Sequence, residues 1–243
     1  MQDKYVCDIG DFGKFFLFRK IFTGNKKLAI IWFYHKIVEN NKDGKYIEYF
    51  HRVTGLDCTL ENAFKKILLN NNRNIKALQE LNLLNNAIYF NKELNLNREV
   101  WFKDALNFVK DANIVSVAPD NGIAVKCNKK EQSLSIVAHH KSKTNAHKYI
   151  FKDEIVQLFN LKHLEILILY WHLNRCFKHN LQIELILKEL KKEFEYLVAI
   201  KHKPYSPRVY IFIFKDKKAS FEIGKKLKNF ADLFSHDWEF FAC

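Results

Sequence analysis

A chain of 243 residues with a formal charge of +13, from 40 Lys and Arg against 27 Asp and Glu, has the length of one large α/β domain and is short for two. At 48% hydrophobic and 15% aromatic, with only 7 Gly and 3 Pro, it can build a core and is not a disordered or low-complexity chain. Every apolar run is broken before the roughly 18 to 20 residues of a membrane span, and Met1-Gln-Asp-Lys-Tyr5 lacks the layout of a signal peptide. The five cysteines (Cys7, Cys58, Cys127, Cys176 and Cys243) show no C-x-x-C spacing, so the expectation is one cytoplasmic domain over residues 1–243 with free thiols.

In chain order, Asp11 to Ile21 reads as an apolar-faced helix, and Leu28 to Tyr34 as a strand apolar on both parities, hence buried on both faces. Asn40 to Gly44 has loop chemistry, Tyr46 to Phe50 is a short segment, and Thr59 to Leu69 is a helix. Ala87 to Phe90 suits a short strand and Arg98 to Lys110 a helix, and Asn113 to Ala118 is a strand running into Pro119-Asp-Asn-Gly122. A helix from Phe151 leads to a strand at Leu164 to Trp171, which ends in His172-Leu-Asn-Arg175. Gln182 to Tyr196 is read as a helix, Leu197 to His202 and Arg208 to Phe214 as strands, and Phe221 to Leu233 as a closing helix. This alternation predicts a mainly parallel sheet with helices on both faces, antiparallel at its last strand.

Open α/β sheets bind ligands outside the carboxyl ends of their strands, where the loops diverge. Polar chemistry concentrates at two such ends. Asp120 is suited to take a proton or hold a cation, and Asn121 both donates and accepts, although the same letters also favour a plain turn. His172 and Arg175 suit a proton-transfer group and an anion clamp, or simply the polar finish of a strand. A third cluster, Asp8, Asp11 and Lys14, stands at the start of the first helix. His139, His140, Lys141 and Lys143, with His147 and Lys148, form a basic stretch that either tracks phosphates or is a solvated loop. The excess positive charge makes nucleic acid the expected partner, while Lys- and Asn-rich usage is equally a habit of AT-rich genomes. There is no G-x-x-x-x-G-K-[ST] frame, G-x-G-x-x-G, H-E-x-x-H or G-x-S-x-G.

The order of these pieces resembles the Rossmann-like class I methyltransferase-like fold, notably bacterial ribosomal RNA adenine-N6 methyltransferases and the three-cysteine-motif partner proteins. Gly10-Asp11-Phe12-Gly13-Lys14-Phe15 looks like a reduced G-N-x-A-D-x-x-K-H segment, and Ala118-Pro119-Asp120-Asn121 stands where D-P-P-Y follows the fourth strand. More closely, the chain resembles a bacterial family without an assigned activity. The residues that carry this are Ile9 to Phe15, Trp32-Phe33 with Asp43-Gly-Lys45, Ala118 to Gly122, Lys148 to Glu154 and Trp171 to Arg175. The resemblance implies base methylation with S-adenosylmethionine, the Gly10, Asp11, Lys14, Trp32 and Asp43 region lying on the cofactor side. It places Asp120, Asn121, His172 and Arg175 at the reacting centre, with Ala118 where the motifs carry Asp, so that an inactive copy belongs to the expectation. The alternatives are a metal-dependent nuclease or phosphodiesterase holding Mg2+ or Mn2+ on Asp11, Asp43 and Asp120, and a non-catalytic nucleic-acid-binding module.

Overall fold

The computed structural model describes residues 2–36, 44–94, 97–140 and 145–242. The order of elements is α1 (Ile9–Ile21), β1 (Leu28–Ile31), α2 (Phe50–Val53), α3 (Cys58–Leu69), α4 (Ile75–Glu80), β2 (Ala87–Phe90), α5 (Arg98–Val109), β3 (Ile114–Val117), β4 (Gly122–Ile123), β5 (Val125–Asn128) and β6 (Ser133–Ile136). It continues with β7 (Tyr149–Ile150), α6 (Lys152–Phe159), β8 (Ile166–His172), α7 (His179–Leu190), β9 (Tyr196–His202), β10 (Arg208–Phe214), α8 (Lys217–Leu233) and β11 (Trp238–Ala242). Polar caps set several helix starts: the side chains of Asp8, Asp57, Asn74, Asn97 and Asp216 each accept a backbone N–H of the first turn. Such a cap is typically worth about 1 kcal/mol.

Seven strands form one mixed sheet in the order β11-β9-β10-β8-β3-β1-β2. The pairs among β2, β1, β3 and β8 are parallel, and those of β10 with β8, β10 with β9 and β11 with β9 are antiparallel. The expectation of a mainly parallel sheet is thus corrected to an even mixture. Five residues, 203–207, separate β9 from β10, enough for a hairpin but not for the crossover that a parallel pair needs. The reading of Gln182 to Tyr196 as one helix is also corrected: α7 ends at Leu190, and β9 already begins at Tyr196.

The continuous apolar strands are covered on both faces. Leu28, Ile30, Ile168 and Phe212 pack under α1, α3, α4 and α8, whereas Ala29, Ile31, Leu169 and Ile211 pack under α5, α6 and α7. The alternation follows the two-residue period of a strand. Outside the main sheet, β5 and β6 form an antiparallel hairpin, and β4 pairs in parallel with β7.

A disulfide joins Cys127 in β5 to Cys176 beyond β8, with Cα atoms 6.5 Å apart, which corrects the expectation of free thiols at these two positions. Their separation of 49 residues hides the pairing in the sequence, and only the folding back of the hairpin onto α7 exposes it. Cys7 and Cys58 are free, and Cys243 lies outside the described residues. Among the described residues no helix is long and apolar enough to cross a membrane.

Candidate functional site

The carboxyl ends of β3, β8 and β9 reach the same edge of the sheet as the amino ends of β10 and β11. The register fixes this, since Arg208 lies opposite both His172 and His202, and Trp238 lies opposite His202. From β1 the chain moves outward to β2 on one side, and from β3 to β8 on the other, so the strand order reverses between β1 and β3. A crevice beside such a reversal is where open α/β sheets place ligands. Here it is a cavity of about 230 Å³, lined by the first turns of α1, by 118–121 after β3, by Tyr170 and His172 of β8, and by Ser206 and Arg208.

The α1 wall is built by its cap. Asp8 receives the Asp11 N–H at 2.9 Å, while the Asp11 carboxylate takes the Lys14 ammonium at 2.8 Å, both side chains being buried. Lys14 also lies 4.3 Å over the Trp32 ring. Gly10 is required at its position by close approach: a Cβ there would stand 1.9 Å from Nη1 of Arg208, so the guanidinium rests directly against the helix backbone. The opposite wall is built by hydrogen bonds from β3 onward. The Asn121 N–H donates to the Lys148 carbonyl at 2.9 Å, and the His172 N–H donates to the Asn121 carbonyl at 3.2 Å. Asp120 meets Nε2 of the buried His35 at 2.9 Å and accepts from Nε2 of Gln2 at 3.2 Å. Oγ of Ser206 and Nε2 of His172 are 3.1 Å apart.

Two carboxyl groups of one cavity are driven in opposite directions. Burial raises Asp8 from 3.8 to about 6, and the Asp11 carboxylate adds to the rise, against the pull of Arg208 and Lys14. Burial acts the same way on Asp120, but neighbouring positive charge and the His35 hydrogen bond outweigh it and hold that carboxyl well below its usual range. Burial likewise pushes Tyr170 up to about 12, with the Arg208 guanidinium opposing. A carboxyl raised to about 6 in the same cavity as one that stays ionised is an arrangement suited to proton transfer near pH 7.

The fold brings Gly10, Asp11, Lys14, Asp120, Asn121 and His172 to this one cavity, with Ala118 in its wall. Lys148 is half-buried and placed beside Asn121 by the pairing of β4 with β7. Trp32 is fully buried behind Lys14, and Arg175 is exposed; neither lines the cavity. His139 and His140 instead border a second cavity, of about 730 Å³, with Arg98, Asp153 and Glu154. There the buried Arg98 guanidinium grips the Glu154 carboxylate through Nε and Nη2 at 2.7 and 2.8 Å, with its centre 4.9 Å from the Phe33 ring and 5.4 Å from the Trp101 ring. Asp43, Lys141 and Lys143 lie outside the described residues.

The sequence reading missed Arg208, Ser206, Tyr170 and His35. Arg208 left a signal, a lone cation opening the otherwise apolar Arg208-Val-Tyr-Ile-Phe-Ile-Phe214, whereas Ser206 and His35 left none.

Two cofactor expectations can be set against these residues. A methyl donor is usually approached by a glycine-rich loop after the first strand; here Trp32 and Phe33 occupy that place, both with 0% exposure, and they do not fit the group. Among the described residues no cluster of three or more His, Cys, Asp or Glu is arranged to hold a metal, and Asp11 and Asp120 each already face a cationic or imidazole partner. No family model matches the chain, and no curated protein matches it significantly. The cavity's own residues therefore carry the functional reading.

Proposed function

We propose that the chain is an enzyme acting on nucleic acid, working by proton transfer in this cavity on a Rossmann-like, class I methyltransferase-like frame. The observation that carries the reading is the Asp120-Asn121 pair, delivered directly after a parallel strand into a cavity that also holds Asp8, a carboxyl titrating near neutrality. The reversal of strand order between β1 and β3 supports the frame, as does β10 inserted antiparallel between β8 and β9.

Asn121 offers an amide that can read the donor and acceptor edge of a base, and ionised Asp120 accepts from an exocyclic amino group. Asp8 and His172 are the proton carriers, each within the same lining. A cavity of about 230 Å³ is below the roughly 300 Å³ floor of sites for drug-sized ligands, so it takes one extruded base or one phosphorylated sugar rather than a stretch of strand. The net charge of +13 supports a polyanionic partner. So does the outer face of α8, where Lys217, Lys218, Lys225 and Lys228 are exposed around Phe221, itself 73% exposed, a combination suited to phosphates and a stacked base. The chemistry rests on the chain's own residues, because Trp32 and Phe33 after β1 do not fit a methyl donor.

The test is to incubate the protein with single-stranded DNA and RNA pools and to analyse the digested nucleosides by mass spectrometry, alongside anisotropy binding at several salt concentrations. The expected result is salt-dependent binding that Asp120→Asn leaves intact, with a nucleoside change that Asp120→Asn abolishes. Absence of both binding and any nucleoside change, in the wild type and in Ala118→Asp with and without adenosylmethionine or Mg2+, would refute the proposal.

A further inference from the structure

We infer that Arg208 and the amino end of α1 form a phosphate-binding subsite within the cavity, which gives the substrate class as a nucleotide rather than a free base or nucleoside. The inference rests on the nucleic-acid reading above for the identity of the rest of the ligand, but the subsite itself stands on its own geometry.

Arg208 is 5% exposed. Taking a guanidinium out of water costs several kcal/mol unless its donors are satisfied. Its Nε donates to the Ser206 carbonyl at 3.0 Å, whereas Nη1 and Nη2 make no hydrogen bond among the described residues and the side chain borders the cavity. Two parallel donors in a fixed plane, left open toward a cavity, match two oxygens of one phosphate.

The second contributor is the start of a 13-residue helix. In its first turn the Ile9, Asp11 and Phe12 N–H groups donate to the Tyr46 carbonyl, the Asp8 carboxylate and the Asp8 carbonyl. The Gly10 N–H has no acceptor among the described residues, and Gly10 is the residue against which Arg208 rests. A helix start and a guanidinium thus converge on the same spot, and both favour an anion. The nearby carboxylates do not cancel this. Asp11 is paired with Lys14 at 2.8 Å and Asp120 with His35 at 2.9 Å, so Asp8, with a weaker pull from Asp11, is the main carboxylate acting on Arg208. Next to Arg208, whose ladder partner is His172, Oγ of Ser206 and Nε2 of His172 stand 3.1 Å apart in the same lining and add polar atoms to this wall of the cavity.

The experiment is calorimetric titration of the wild-type protein with adenosine, with adenosine 5′-monophosphate and with inorganic phosphate, each also in competition with a short oligonucleotide. The monophosphate should bind at least tenfold more tightly than adenosine, as expected when charge-assisted hydrogen bonds are gained. Inorganic phosphate should compete with it, and Arg208→Gln should remove the difference. Because a buried arginine can be needed for folding, Gly10→Ala is the second variant: its methyl displaces the guanidinium while keeping the charge in the chain, and it should weaken the monophosphate and leave adenosine unchanged. Equal binding of adenosine and its monophosphate by the wild type, or a preference that survives in Arg208→Gln, would overturn the subsite. Phosphate binding that depends on Arg208 but is displaced by no nucleoside, nucleotide or oligonucleotide would uphold the subsite and overturn the nucleic-acid reading instead.

Discussion

Replacing Asp8 by Asn should make the protein more stable at neutral pH and less active. A tenfold change in proton affinity is worth about 1.4 kcal/mol, so raising the carboxyl from 3.8 to about 6 corresponds to about 3 kcal/mol. The folded chain binds this proton more tightly than the unfolded one. The group's full stabilising contribution is therefore present below about pH 4 and is lost as the pH rises through about 6. Asp8 is half-buried and opens on the cavity, so solvent screening trims the expected effect to about 1–3 kcal/mol. Asn keeps an oxygen for the Asp11 N–H, and Asn and Asp cap helices about equally well. Chemical denaturation of both proteins between pH 4 and 8 is the assay. The two curves should converge near pH 4 and separate above pH 6, Asp8→Asn being the more stable, with a midpoint in thermal unfolding higher by roughly 3 to 9 °C at pH 7.5. Asp120 does not confuse the result: its pKa is depressed, so its contribution is present above about pH 4 and is lost only as the pH falls further. A stability difference that stays constant from pH 4 to 8, or a less stable variant at pH 7.5, would show that the carboxyl is not forced up by its surroundings.

Other substitutions test the frame around the cavity. Gly122→Ala places a Cβ 2.3 Å from the Tyr170 carbonyl oxygen at a residue with φ of +85°, and a loss of about 2 kcal/mol or more is expected in a urea titration; a shift of a few tenths would contradict the close approach. Glu154→Ala leaves the Arg98 guanidinium buried among aromatic rings without its carboxylate, and should lower stability by about 3–5 kcal/mol. Thermal melts that coincide with those of the wild type would argue against a buried pair. Reduction of the Cys127–Cys176 disulfide, which closes a loop of 49 residues, should cost about 4 kcal/mol on loop-entropy grounds. The check is denaturation with and without dithiothreitol, where a Cys127→Ser/Cys176→Ser variant must be indifferent to the reductant.

Much of the fold can be read from local pattern. Ala87–Phe90 and Arg208–Phe214 lie where the apolar runs put them, and α1, α3 and α5 fall within two residues of the expected helices, because capping residues and apolar periodicity are local signals. The elements that escaped are of another kind. The pairs β4–β7 and β5–β6 and the edge strand β11 are short or half-exposed, and they exist because distant segments offer partners. The site divides in the same way. Asp11, Lys14, Asp120, Asn121 and His172 stood out as polar letters at element ends, and they do share a cavity. Arg175 stood out for the same reason and is exposed, while Arg208 fills the arginine's place from 33 residues further along, in a strand whose direction no local pattern reveals. His35 was hidden by its aromatic neighbours Trp32, Phe33 and Tyr34, and only the return of 118–121 to β1 shows that it faces Asp120.

The late hairpin gives the cavity one firm side and one adjustable side. Arg208 is anchored by ladders to β8 on its left and β9 on its right, so its Cα is held as tightly as any core position. The facing residues sit on connections after β3 and before α1, held by single backbone bonds such as Asn121 N–H to the Lys148 carbonyl and Ile9 N–H to the Tyr46 carbonyl rather than by two full ladders. In a lineage of such chains, diversification of the ligand would be written into those connections, while the arginine rung stays fixed as the reference point against which each new partner is positioned.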